Sequence, residues 1–179
     1  MNIIKLIETE RLILRKVCMD DLDQIYDNWA SDKKTNEYLT FKCHESKEQT
    51  RKLIDFWLQK YEKNGYEWCI ELKDNHEVIG MISVDKTYKY KCAEIGYSIS
   101  SKYFNNGIMT EAVLAVIDYL FNECDFEIIE AIIPSKNIGS VKVAEKCNMK
   151  REATLKNRYK NKVTGEINDL YIYSLFKYE

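Results

Sequence analysis

Phe104-Asn105-Asn106-Gly107 forms a polar loop between a short strand and the start of an amphipathic helix. The first turn of a helix has N–H groups without intrahelical partners and about half a positive charge, so a loop opening into one is a ready phosphate site. Gly107 allows close backbone approach there. Residues able to handle protons flank this point. Glu94 opens the preceding strand and shares a period-2 face with Gly96 and Ser98, opposite Ile95 and Tyr97. Asn137 and Ser140 stand at the start of the next helix, just after Pro134, the only proline, and Asp169 enters the last strand. The helix start is the main reason to read the chain as an enzyme that holds a phosphorylated carrier. Each of these residues has a structural alternative. Asn105-Asn106-Gly107 can be a plain turn with a helix cap, Glu94 part of a strand ion pair, Asn137 an N-cap, Ser140 a small packing residue, and Asp169 structural. His44 and His76 fall in loops and are not assigned catalysis.

The chain of 179 residues is read as one domain, 1–179, because 45% hydrophobic residues suffice for one core. With 27 basic and 29 acidic residues the net charge is −2, which gives no general reason to bind nucleic acid or an anionic membrane. No apolar run reaches the ~18 residues of a membrane span, and MNIIKLIETERLILR lacks a signal-peptide core. The six cysteines are scattered without a CxxC, so buried free thiols in a reducing cytoplasm are expected and a metal site is not.

Several elements must position the candidate residues. Leu12 and Leu14 alternate as in a strand. Asp20 is expected to cap a helix carrying Leu22, Ile25, Tyr26 and Trp29, and residues 31–36 form a polar stretch. Ser46 with Gln49 resembles a capping box before a helix that Gly65 ends. Tyr66–Leu72 and Val78–Val84 read as a hairpin, and Glu94–Ile99 as the next strand. Val113, Val116, Ile117, Leu120 and Phe121 trace a helical stripe. Ile128–Ile133 reads as a strand covered on both faces, giving a right-handed β-α-β unit. A helix over Ile138–Cys147 closes at Asn148, and Leu170–Phe176 ends a final hairpin. The expected fold is α/β, a mixed, mostly antiparallel sheet with one parallel β-α-β unit and helices on both faces.

ETERLILR followed by DDLDQIYDNWASD, then EIGYSI, NNGIMTEAVLAVIDYLF, Asn137-Ile138-Gly139-Ser140 with EKCNM, and DLYIYSL resemble, in that order, the elements of the GNAT superfamily of acyl-CoA-dependent N-acyltransferases. The resemblance spans nearly the whole chain and is nearest to the ribosomal-protein N-terminal acetyltransferase type. It departs from the family pattern at Phe104, where a basic or amide side chain is usual, at Met109, where glycine or alanine is usual, and at Ala144, where many relatives carry a tyrosine acid.

The resemblance implies acetyl-CoA as co-substrate and no metal. The backbone of Asn105, Asn106, Gly107, Ile108, Met109 and Thr110 would face its pyrophosphate. The backbone of Tyr97, Ser98 and Ile99 would pair with the pantetheine arm, and Asn137 would hydrogen-bond it. Direct transfer needs a neutral amine. For a lysine this costs about 4.6 kcal/mol at pH 7, for a protein N-terminus only about 1 kcal/mol, so an N-terminus needs a weaker base. Glu94 is the first candidate base, Asp169 the second, and Ser140 would assist the departing thiolate. The expected partner is an amine acceptor, either a protein N-terminus or a small molecule such as a polyamine or aminoglycoside. A non-catalytic acyl-CoA-binding module is the alternative. The chain would be a monomer or homodimer.

Overall fold

In the computed structural model, residues 4–39, 42–63, 65–87 and 90–178 are described. Eight strands form one sheet: β1 (Ile7–Glu8), β2 (Leu12–Arg15), β3 (Tyr66–Leu72), β4 (Val78–Lys86), β5 (Cys92–Ile99), β6 (Ile128–Pro134), β7 (Lys150–Lys160) and β8 (Ile167–Phe176). Their order is β1-β2-β3-β4-β5-β6-β8-β7, and only β5 and β6 run parallel. Their connection carries helix α3 (Ile108–Glu123), as the β-α-β reading requires.

Both sheet faces are covered because side chains alternate along each strand. Trp68, Ile70, Ile79 and Ile82 pack with α3 through Val113, Val116, Ile117 and Leu120. The opposite face offers Cys69, Val78 and Met81 to Ile25, Trp29, Ile54 and Trp57. Those four belong to α1 (Leu22–Ile25), the π-helical turn Tyr26–Ala30 and α2 (Lys47–Glu62).

Several local expectations need correction. Cys18, not Asp20, precedes the first helical turn, because the Asp21 carboxylate accepts the Cys18 N–H at 2.8 Å and two bonds from Arg15. Ser46 does occupy the α2 cap position, but its side chain makes no cap bond, and Gln49 instead accepts the Glu45 N–H at 2.7 Å. Strand β6 is not fully covered, since Ile132 is 39% exposed. Of the cysteines, Cys69, Cys92 and Cys147 are buried but Cys18 is exposed, and none of the six is in a disulfide. Asn148 does take the left-handed conformation, with φ 62.

Two positions shape this framework measurably. A Cβ on Gly80 would press into the backbone of Ser98 and Ile99, so only glycine lets β4 lie this close to the end of β5. Gly80→Ala is therefore expected to lower stability by about 2 kcal/mol, read from the urea midpoint. Glu67 on β3 is 0% exposed and ion-paired with Lys60 of α2. Burial pushes its carboxyl up to about 7, against the pull of Lys60. The folded state thus holds a proton that the unfolded chain releases near its ordinary value, and the associated stability is lost as pH rises through about 7. Urea midpoints should fall between pH 5 and pH 8, and Glu67→Gln should flatten that slope; an unchanged slope would assign the pH dependence elsewhere.

Candidate functional site

The parallel pairing of β5 with β6 covers only Cys92↔Ile128, Ala93↔Ile129 and Glu94↔Glu130. Beyond Glu94 the two strands part, although β5 continues to Ile99 and β6 to Pro134. A cavity of about 580 Å³ occupies this region. It is bounded by Tyr97–Ile99, the 104–107 loop, the first turn of α3, and helix α4 (Ile138–Lys146).

The loop has the geometry of an anion cradle. Asn105 and Gly107 are both left-handed, with φ 62 and φ 74. Gly107 is the N-cap of α3, and its carbonyl accepts the Glu111 N–H at 3.0 Å. The following N–H groups are therefore left to point out of the helix start. Behind the loop, Arg11 donates from Nη1 to the Asn106 carbonyl at 3.1 Å and from Nε to Glu111 Oε2 at 2.6 Å.

Across the cavity, Asn137 caps α4, its Oδ1 accepting the Ser140 N–H at 3.2 Å. The cap role and a place in the cavity wall thus coincide in one residue. Tyr97 reaches from β5 to α4, where its hydroxyl donates to the Ser140 carbonyl at 2.9 Å. Burial pushes the Tyr97 phenol up, so the hydroxyl stays protonated. Position 144 is fully buried rather than in the cavity wall, and Tyr97 from β5 and Tyr173 from β8 both reach α4, the latter donating to Glu145 Oε1 at 3.2 Å.

Among the predicted site residues, Tyr97, Ser98, Ile99, Asn105, Gly107, Ile108, Met109, Thr110, Asn137 and Ser140 all line the cavity, whereas Glu94, Asn106 and Asp169 do not. Glu94 sits where the strands part, between Asp85 of β4 and Glu130 of β6. The Asp169 carboxylate accepts bonds from Lys156 at 2.8 Å and the Asn157 N–H at 3.0 Å, and these hold it below the usual carboxylate range.

Sequence reasoning missed a 3₁₀ turn, Thr35–Tyr38, that lines one side of the cavity. Thr35 ties it to the end of β5, donating to Asp32 Oδ2 at 2.8 Å and accepting the Ser101 N–H at 3.0 Å. Burial raises the Asp32 carboxyl, but hydrogen bonds from Ser101 and Thr35 outweigh it and hold the group low. Also missed were four lysines in the wall, Lys34, Lys136, Lys142 and Lys146, against one carboxylate of the wall, Glu37, and one outside it, Glu166, which pairs with Lys136 at 3.2 Å. A locally cationic cavity in a chain of net charge −2 suits a multiply charged anion. The i,i+4 pair Lys142/Lys146 on α4 was the legible signal.

The chain belongs to the acetyltransferase (GNAT) domain family, which matches residues 11–150, and is thereby an acyltransferase. It is 32% identical over 175 residues, 96% of this chain and 97% of the relative, to the uncharacterized N-acetyltransferase YoaA of Bacillus subtilis. The GNAT-family acetyltransferase structure from Bacillus anthracis aligns with a TM-score of 0.86 at 27% identity, covering 98% of this chain and 100% of that one. The ribosomal α-N-protein acetyltransferase RimL in complex with coenzyme A shares the fold, with a TM-score of 0.85 at 19% identity over 96% of this chain and 98% of that one. The protein is accordingly an N-acetyltransferase by family. Among the described residues no helix is long and apolar enough to cross a membrane.

Proposed function

We propose that the chain, as one domain over 1–179, transfers the acetyl group of acetyl-CoA directly to a primary amine, with a protein N-terminus of the ribosomal-protein type as acceptor. The observation that carries this is the cavity itself, which joins an anion-cradling loop to parted strands. The diphosphate would rest on the backbone of Asn105–Thr110, with lysines of the wall near its phosphates. The pantetheine amides would pair with Tyr97–Ile99 as an added strand, and Asn137 would hydrogen-bond that arm. The RimL structure, a neighbour in fold, was obtained with coenzyme A, which supports the carrier.

In the transfer, the neutral amine nitrogen attacks the thioester carbonyl carbon. The new C–N bond forms and the C–S bond breaks, with coenzyme A leaving as thiolate. Glu94 lies three residues before Tyr97, about 10 Å along the strand, so it would receive the amine proton through water. Ser140 in the cavity wall would donate its hydroxyl to the thiolate sulfur. Asp169 is the second candidate base. An N-terminal amine suits so indirect a base because it needs little deprotonation. Six cysteines outside any disulfide fit the reducing cytoplasm in which such an acceptor is made.

The test is coenzyme A release with acetyl-CoA and a panel of N-terminal peptides, polyamines and aminoglycosides. Turnover confined to peptides with a free α-amine supports the proposal. Turnover confined to the small amines would reassign the acceptor, and release with none of them would remove it.

A further inference from the structure

Arg11 is far in sequence from the loop at 104–107 and is absent from the cavity wall. Three bonds nevertheless fix its position from behind. Its Nε donates to Glu111 Oε2 at 2.6 Å, its own N–H donates to Glu111 Oε1 at 3.0 Å, and its Nη1 donates to the Asn106 carbonyl at 3.1 Å. Thr9 in turn holds Glu111, donating its hydroxyl to Oε1 at 2.5 Å. Glu111 is itself in the first turn of α3. Hydrogen bonds from Thr9 and Arg11 outweigh its partial burial and hold its carboxyl below the usual range, so the ion pair is charged at neutral pH.

The consequence follows from peptide geometry. In a trans peptide the C=O and the following N–H point in opposite directions, and no peptide of the described chain is cis. Arg11 draws the Asn106 carbonyl to its own side, so the Gly107 N–H projects to the other. Gly107 lines the cavity, and Arg11 and Asn106 do not.

We propose that Arg11, anchored by Glu111, is a positioning residue for the carrier: it holds the 106–107 peptide so that the Gly107 N–H aims at the diphosphate. This rests on the reading of the loop as the diphosphate site. It also supplies a physical account of Phe104. The loop's own side chain there is not basic, and the cation that orders the loop comes instead from the turn before β2.

The experiment compares two donors, acetyl-CoA and S-acetylpantetheine, which has the same thioester and arm but no diphosphate. The readout is the ratio of their kcat/KM values in the wild type and in Arg11→Gln. An N–H aimed at a charged oxygen accounts for about a tenfold share of affinity, so the ratio should fall about tenfold, through KM for acetyl-CoA with kcat little changed. Arg11→Lys, which keeps the charge but not the fork, should recover only part of the loss. If Arg11→Gln does not fold, Glu111→Gln carries the same comparison, with a smaller fall in the same direction. An unchanged ratio, whether both donors weaken equally or neither does, would overturn the proposal and make Arg11 a structural residue only. If the wild type uses both donors equally well, the loop is not a diphosphate site and the reading beneath the proposal fails first.

Discussion

Glu94→Gln is expected to lower turnover at pH 7 by about 100-fold, while affinity for acetyl-CoA hardly changes. The substitution keeps the size and hydrogen-bonding reach of the side chain and removes only the base. The carrier would be held by the loop and by the backbone of Tyr97–Ile99, none of which the substitution touches. Part of the loss should return at higher pH, where more of the amine is already neutral. A rate assay across pH 6–9 with an N-terminal peptide checks each part. Wild-type turnover in the variant would make Glu94 a member of the carboxylate row formed with Asp85 and Glu130. Capture of the neutral amine without a base would then be the better account, since Lys156 and Asn157 hold Asp169 low and so make it a weak base.

Gly107→Val should weaken acetyl-CoA binding by at least about tenfold and shift the melting temperature by only a few degrees. Protein packing does not forbid the side chain, because a Cβ at Gly107 would meet only Arg11 Nη2, at 3.7 Å. The backbone does resist it. At φ 74 a β-branched residue is strained, and relief of that strain turns the N–H groups away from the cavity. Titration calorimetry with acetyl-CoA gives the affinity, and a thermal melt separates it from unfolding. Gly107→Ala should show the same change, smaller. Unaltered affinity in the valine variant would move the diphosphate site elsewhere.

The stretch from β5 through α4 was legible because its signals are local. A 3.6-residue stripe marks α3, the apolar run Ile128–Ile133 marks β6, and Asn137 caps α4. Within residues 18–38 the helix through Leu22, Ile25 and Trp29 was legible, but its passage into a π turn and the flanking 3₁₀ turns at 19–21 and 35–38 were not. Such short turns are held by tertiary bonds, for example from the Asn36 amide to the Trp29 and Ala30 carbonyls, and they have no repeat to read. The site divided the same way. Backbone donors on adjacent residues could be named from the loop and strand. Lys34 comes to the wall from a segment remote from Lys136, Lys142 and Lys146, and Arg11 meets Glu111 across 100 positions, so only folding brings them together.

A sheet of eight strands ordinarily has two edges. Here the separation of β5 from β6 after Glu94 creates two more, inside the molecule. An open edge accepts any extended chain bearing amides, since main-chain pairing does not read side chains. On the proposed reading, discrimination must therefore reside at the two ends of the slot: in the loop at 104–107, which tests for phosphate, and in the Thr35–Tyr38 turn, which meets whatever amine arrives. The Tyr97–Ser140 bond ties the separated strand to α4 before anything enters. The arm would then meet a track already open, and the free energy of its pairing would go to holding the thioester in register rather than to prying strands apart.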